Sequence, residues 1–140
     1  APNIGSFFRT ADAFGIEKLI LCGESIQLGR KMAKTSRATE KVVNYEIRKT
    51  ATEVIDDLKS KNYQIISLEI TNSSKPIHEF QISKEKPIAL IIGDENFGIS
   101  EHILKSSDEI IHIYMFGQNS SMNVVQATNI ALYEITKQLL

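Results

Sequence analysis

The chain predicts an α/β domain built on a mainly parallel sheet in three layers, and three observations carry that prediction. Short apolar runs such as Leu19–Cys22, Tyr63–Ile70 and Pro87–Ile92 alternate with stretches of helical spacing, the order that lays helices against a parallel sheet. Pro87-Ile-Ala-Leu-Ile-Ile92 is apolar throughout rather than alternating, which marks a strand covered on both faces and so a central one. Val124, Ala127, Ala131, Leu132, Ile135 and Leu139 recur at intervals of three and four, one apolar face of a closing helix.

The elements follow in order. Pro2 and Gly5 punctuate a turn, and a helix runs to about Phe14, where Gly15 can end it. Phe7, Phe8, Ala11 and Phe14 share one face and Arg9 points elsewhere. Leu19–Cys22 reads as a strand with Cys22 packed in the core, and 23–29 as a loop. Met32–Thr39 is a weak helix and Val42–Tyr45 a short extended piece. Thr50–Lys61 is a clearer helix, with Val54, Ile55 and Leu58 inward and Asn62 closing it. Tyr63–Ile70 is a strand, 72–76 a turn, and 77–82 a loop anchored by Phe80. After Pro87–Ile92 comes a loop, Gly93-Asp-Glu-Asn-Phe-Gly98, and Ser100 can cap a helix over Glu101–Ser106. Ile110–Met115 has the branching of a buried strand, and the hydroxyl- and amide-rich loop 117–121 leads into the last helix. Residues 1–140 are read as a single domain, long enough to bury a core.

Composition excludes more than it assigns. The 140 residues are 42% apolar and 24% charged, ordinary for a globular protein. No apolar run approaches the roughly 20 residues that span a bilayer, no signal peptide is visible, and one cysteine cannot form an internal disulfide. A cytoplasmic location without membrane contact is the expectation. The net charge of −1 is unevenly spread: between Arg30 and Lys49 seven basic residues face two acidic ones, a net +5, which leaves −6 for the remainder. Such a segment suits a nucleic-acid contact surface or a solvated helix face.

Several chemistries can be set aside. Gly93 to Gly98 is half of a phosphate-binding loop, but Ile99 and Ser100 follow, so the lysine that should reach the phosphates is absent, and Asp94 and Glu95 put negative charge where phosphates would sit. No dinucleotide-binding glycine pattern occurs. His78, His102 and His112 lack metal-ligand spacing, so no metal is expected, and no hydrolase elbow is present. Three polar segments remain, each beside a strand end or helix start: Asn3 to Arg9, Gly93 to Gly98, and Ile113 to Asn123. Ligands of open α/β folds bind in such places, although Ser120, Ser121 and Asn123 could equally serve only as helix caps.

Taken together, these segments resemble a known family. Asn-Ile-Gly-x-x-x-Arg-Thr-Ala-x-x-Phe-Gly at Asn3–Gly15, Ile-Ile-Gly-Asp-Glu-Asn-Phe-Gly-Ile-Ser at Ile91–Ser100, and Ile-Tyr-Met-Phe-Gly through Ser-Met-Asn-Val-Val-Gln-Ala at Ile113–Ala127 are similar, in order and spacing, to the three motifs of SpoU-type (TrmH-like) RNA ribose methyltransferases of the SPOUT superfamily. The likeness covers nearly the whole chain. Tyr114 stands where the family usually has proline, and Met122 where it usually has leucine, a volume-conserving change. The family's first strand or N-terminal residues are absent from this sequence.

The resemblance implies a C-terminal trefoil knot, against the general rule that connections do not thread loops, and S-adenosyl-L-methionine bound within it. It implies methyl transfer to a ribose 2′-hydroxyl of tRNA or rRNA by a homodimer, with Arg9, Asn3, Glu95, Ser121 and Asn123 at the catalytic site. Arg9 would anchor RNA phosphate or stabilise a developing oxyanion, since guanidinium stays protonated, and could serve the partner's cofactor. A surface ion pair with Asp12 is the rival reading of Arg9, and a carboxylate holding its own loop is that of Glu95. Gly93, Ile113, Met115, Met122 and Leu68 would hold the cofactor, while Arg9, Arg30, Lys31, Lys34 and Arg37 would meet RNA. A non-catalytic RNA-binding or dimerisation module of the same fold is the alternative, and a flavodoxin-like binding domain a third.

Overall fold

The computed structural model describes residues 2–24, 26, 41–94, 97–118 and 122–140. They form two compact units, Ala1–Val54 and Ile55–Leu140.

In the first unit, helix α1 (Pro2–Ala13) precedes strand β1 (Leu19–Cys22), which pairs in parallel with β2 (Tyr45–Arg48). Helix α1 ends where glycine allows it. Gly15 has φ 63°, and the Gly15 and Ile16 amides donate to the carbonyls of Asp12 and Ala11 at 3.2 and 2.9 Å, the pair of bonds that satisfies a helix C-terminus through a left-handed residue. The buried face is Phe8, Ala11, Leu21 and Val43, with Phe8 fully enclosed. The Phe8 ring meets Tyr45 edge-on at 5.1 Å. Phe7 and Phe14 are only half-buried. Two expectations fail here. The second strand begins at Tyr45 rather than ending there, because Val43 is spent in the core before the ladder starts. Cys22 is exposed, because strand alternation turns Leu21 inward and its neighbour outward.

Helix α2 (Ala51–Ser60) carries the chain from one unit to the other. Thr50 Oγ1 accepts the Glu53 amide at 3.3 Å, and Asn62 closes the helix at φ 67°, its amide and that of Tyr63 donating to Lys59 and Leu58. A non-glycine residue in this region is tolerated best when it is asparagine.

The second unit holds a four-stranded parallel sheet in the order β4 (Lys75–Pro76), β6 (Glu109–His112), β3 (Gln64–Leu68), β5 (Ile88–Ile92). The apolar run expected to be central is the end strand of these four, with every residue half-buried. The middle is β3, whose Ile65, Ile66 and Ser67 are fully enclosed. Pro76 lies in the end strand β4, where its missing amide costs the ladder least. A single 3₁₀ turn, Ile77–Glu79, fills part of the expected loop. Helix α3 (Glu101–Ser106) is capped by Ser100, whose Oγ accepts the Ile103 amide at 3.3 Å. Helix α4 (Val124–Lys137) buries Ala131, Leu132 and Ile135. Leu139 lies beyond it and is 56% exposed.

Both faces of the sheet are covered. Ile66 of β3 and Ile111 of β6 pack with Ile77, Phe80, Ala131 and Ile135. Ser67 points to the other face by alternation, and its hydroxyl bonds Ser107 Oγ at 2.6 Å, just past α3. Asp108 joins there as well: its carboxylate accepts the Ile65 amide at 2.7 Å while its own amide donates to the Ile65 carbonyl at 2.8 Å. An α/β architecture with parallel pairing is therefore as expected.

Candidate active site

Strands β3, β5 and β6 run in one direction, and Leu68 is in register with both Ile92 and Ile111. Their C-terminal ends therefore form one edge of the sheet, the edge at which such folds bind ligands. Three segments leave it: Glu69 onward, the 93–98 loop, and 113–118.

The 93–98 loop is fixed from within and from β3. The Gly98 amide donates to the Asp94 carbonyl at 2.8 Å and the Asp94 amide returns a bond at 3.3 Å, while Asp94 Oδ1 accepts the Phe97 amide at 3.2 Å. Glu69, which follows β3, accepts the Ile99 amide on Oε1 at 2.9 Å. Glycine is required twice. A Cβ on Gly93 would lie 2.6 Å from the Gly98 carbonyl carbon, and Gly98 has φ 69° with the Glu69 carboxylate where its Cβ would be. Gly93 is thus small for the sake of its own loop, not only for close approach to a ligand. Gly117, by contrast, has open space around it. Glu69 is a site-forming residue that the sequence did not single out; its neighbours Leu68 and Ile70 are apolar, and a polar residue at a strand end was the available signal.

The 113–118 segment is built differently. Its first part was expected to be strand, yet β6 stops at His112. Among the described residues, the main-chain groups of Tyr114 to Gln118 bond to no other main chain. With Ile70 and His112, the segment lines a cleft of about 240 Å³, smaller than the roughly 300–1,000 Å³ usual for ligand sites. Tyr114 is in that lining, edge-on to Phe116 at 4.9 Å. His112 Nδ1 lies 2.8 Å from Ser74 Oγ, which also accepts the Thr71 amide at 2.9 Å and lies 3.0 Å from the Thr71 carbonyl. The hydroxyl has one proton. If it goes to Thr71, the imidazole must carry its proton on Nδ1 and keep Nε2 as an acceptor.

Other predicted residues fall as follows. Ile113 and Leu68 are partly buried against the sheet core, so their main chain is what the strand ends can offer a ligand. Met115 and Met122 are half-buried. Asn123 caps α4, its Oδ1 accepting the Val125 and Gln126 amides at 2.9 and 3.4 Å. Arg9 is exposed on α1 and makes no ion pair with Asp12 among the described residues, so that rival reading of Arg9 is not realised. Asn3 sits in the first turn of α1, with its side chain outside the description. Glu95, Ser121, Arg30, Lys31, Lys34 and Arg37 lie outside the described residues. Of the remaining basic segment, Lys41 and Lys49 are exposed and Arg48 pairs with Glu46 at 3.5 Å. Lys18 bonds Glu46 at 2.7 Å, and that bond holds the Glu46 carboxyl below its ordinary pKa. No helix among the described residues is long and apolar enough to cross a membrane.

Residues 1–133 match the model of the SpoU rRNA Methylase family. The chain belongs to that family. Among relatives, a tRNA (guanosine(18)-2'-O)-methyltransferase of Escherichia coli is 27% identical over 97% of this chain and 58% of its own length. A 23S rRNA (guanosine(2553)-2'-O)-methyltransferase of Bacillus subtilis is 26% identical over 95% of this chain and 52% of its own length. The SpoU methyltransferase AviRb from Streptomyces viridochromogenes, solved in complex with the cofactor AdoMet, superposes with a TM-score of 0.87 at 26% identity, over 99% of this chain and 56% of that one. The SpoU chain described here therefore spans little more than half the length of these relatives.

Proposed function

We propose that this SpoU chain transfers a methyl group from S-adenosyl-L-methionine to a ribose 2′-hydroxyl of tRNA or rRNA. The observation that carries the reading is the family match over residues 1–133 combined with an open cleft at the C-terminal ends of parallel strands. The cleft suits the cofactor chemically. Ile70, Ile113 and Met115 offer apolar contact to an adenine face, and the main-chain groups of 114–118, which bond no other main chain among the described residues, offer donors and acceptors to its edge. The trefoil knot, the homodimer and the cytoplasmic setting belong to the same proposal.

When bound, the cofactor supplies a methyl carbon already activated by its sulfonium leaving group. The chain's task is alignment and proton removal. The chain would hold the ribose hydroxyl in line and let its proton pass to solvent or a nearby acceptor. Arg9 stays cationic and holds RNA phosphate or the developing oxyanion. Glu95 and Ser121 contact substrate or cofactor, and Asn3 and Asn123 orient by hydrogen bonds. Leu68, Gly93, Ile113, Met115 and Met122 hold the cofactor, and Arg30, Lys31, Lys34 and Arg37 extend the RNA surface by charge.

Titration calorimetry with S-adenosylmethionine and S-adenosylhomocysteine tests the proposal, followed by methyl incorporation into total tRNA and rRNA. Saturable binding is expected, with incorporation lost in Arg9→Ala while cofactor binding persists. A folded protein that binds neither compound would sink the enzyme reading and leave the RNA-binding module.

A further inference from the structure

Tyr114 and Phe116 are 54% and 93% exposed. Burying such rings is favourable, yet both stand outward, edge-on to each other at 4.9 Å and 60°. An edge-to-face pair leaves ring face open to a flat partner. Tyr114 also lines the cleft beyond β6, so the pair forms its rim. No Asp, Glu, Lys or Arg occurs from Ile110 through Tyr133. The rim segment therefore carries no Asp, Glu, Lys or Arg of its own, and what its rings offer a ligand is stacking.

We infer that Tyr114 and Phe116 form a stacking ledge for an unpaired nucleobase of the RNA substrate, a substrate-holding contact resting on the methyltransferase reading above. The geometry of the reaction selects this occupant. A ribose whose 2′-hydroxyl reaches a methyl donor in the cleft brings its own base, or that of the adjoining nucleotide, to the rim. Aromatic side chains hold splayed bases in this way, contributing about 1–3 kcal/mol per base and tolerating any sequence. A second copy of the chain suits the ledge less well. A stable interface needs about 800 Å² per partner, and beyond the rings the exposed part of this segment is only Gly117 and Gln118.

The sequence contains no tryptophan, so Phe116→Trp places a single emitter on the ledge. Its fluorescence should be quenched by single-stranded oligouridylate and by bulk tRNA. Phe116→Ala should weaken RNA binding, read by anisotropy, about five- to a hundred-fold, with calorimetric affinity for S-adenosylmethionine unchanged. Unaltered RNA affinity in Phe116→Ala, beside intact cofactor binding, overturns the ledge alone. Emission indifferent to bound RNA does the same. A blue shift that depends on protein concentration and appears without RNA assigns the ledge to a second copy and overturns it too. Failure of the parent protein to bind the cofactor removes the methyltransferase reading and the ledge with it.

Discussion

The 93–98 loop and the 113–118 segment leave the same sheet edge and are built on opposite principles. The first is closed on itself, with the Asp94, Phe97 and Gly98 amides paired and no room for a Cβ at Gly93 or Gly98. Among the described residues, the second has main-chain groups that bond no other main chain, open space at Gly117 and two outward aromatic rings. A segment that satisfies itself is scaffold. One that turns its rings outward, with main-chain groups that bond no other main chain among the described residues, is a surface suited to a ligand. In this molecule the loop with the more suggestive glycines is the scaffold.

Substitutions can break that contrast in graded steps. Gly93→Val should have the largest effect, about 3 kcal/mol or more, since its side chain meets backbone that cannot move aside; urea unfolding measures it. Glu69→Ala should cost about 1.5–3 kcal/mol by leaving the Ile99 amide without its charged acceptor, and Glu69→Gln, which keeps an oxygen there, should cost less. Equal losses in the two would mean that the negative charge itself, not side-chain volume or an acceptor oxygen, carries the contribution. Asn123→Ala should cost about 1 kcal/mol as a lost cap. Asn123→Asp keeps the cap, so a stable Asp variant that no longer methylates would give Asn123 a chemical role beyond it. Phe116→Ala should change stability by no more than about 0.5 kcal/mol, the opposite of Gly93.

The smallest effect expected is electrostatic and lies in the other unit. Glu46 has its pKa lowered chiefly by its bond to Lys18. A lowered carboxylate favours the folded state above its ordinary pKa, and the contribution fades as pH falls through the folded value. Both partners are exposed, so Glu46→Gln should only slightly flatten the acid limb of a stability–pH curve, and added salt should shrink the difference.

Much of the fold was legible because local chemistry and tertiary demand agreed. Gly15, Asn62 and Ser100 end or begin helices as their residue types dictate. Where they diverged, the sequence misled. Pro87–Ile92 reads as central because apolarity reports burial, not neighbours, and the strand that takes the inner place on the far side of β3 comes later in the chain. Cys22 and Leu21 are adjacent and apolar alike, and only pairing with β2 decides which faces inward. At the site, the motif residues were legible as a pattern of types, whereas Glu69 was not, since its meaning depends on a loop 30 residues away. The ledge was hidden for a related reason: Ile113-Tyr-Met-Phe116 looks like strand until the ladder is seen to stop at His112.

The order β4, β6, β3, β5 also has a consequence in time. The strand that emerges last occupies an inner position, so β3 keeps an open edge until Glu109–His112 has been made and has slotted in beside it. Assembly must wait on a contact some forty residues distant, between Ile66 and Glu109, and long-range parallel pairing is slow to form. Until then the fully enclosed Ile65 and Ile66 are exposed to wrong partners. Pulse-labelled hydrogen exchange during refolding should show the β3 amides gaining protection together with those of β6. Protection of β3 well ahead of β6 would mean that the sheet has another way to shield its middle.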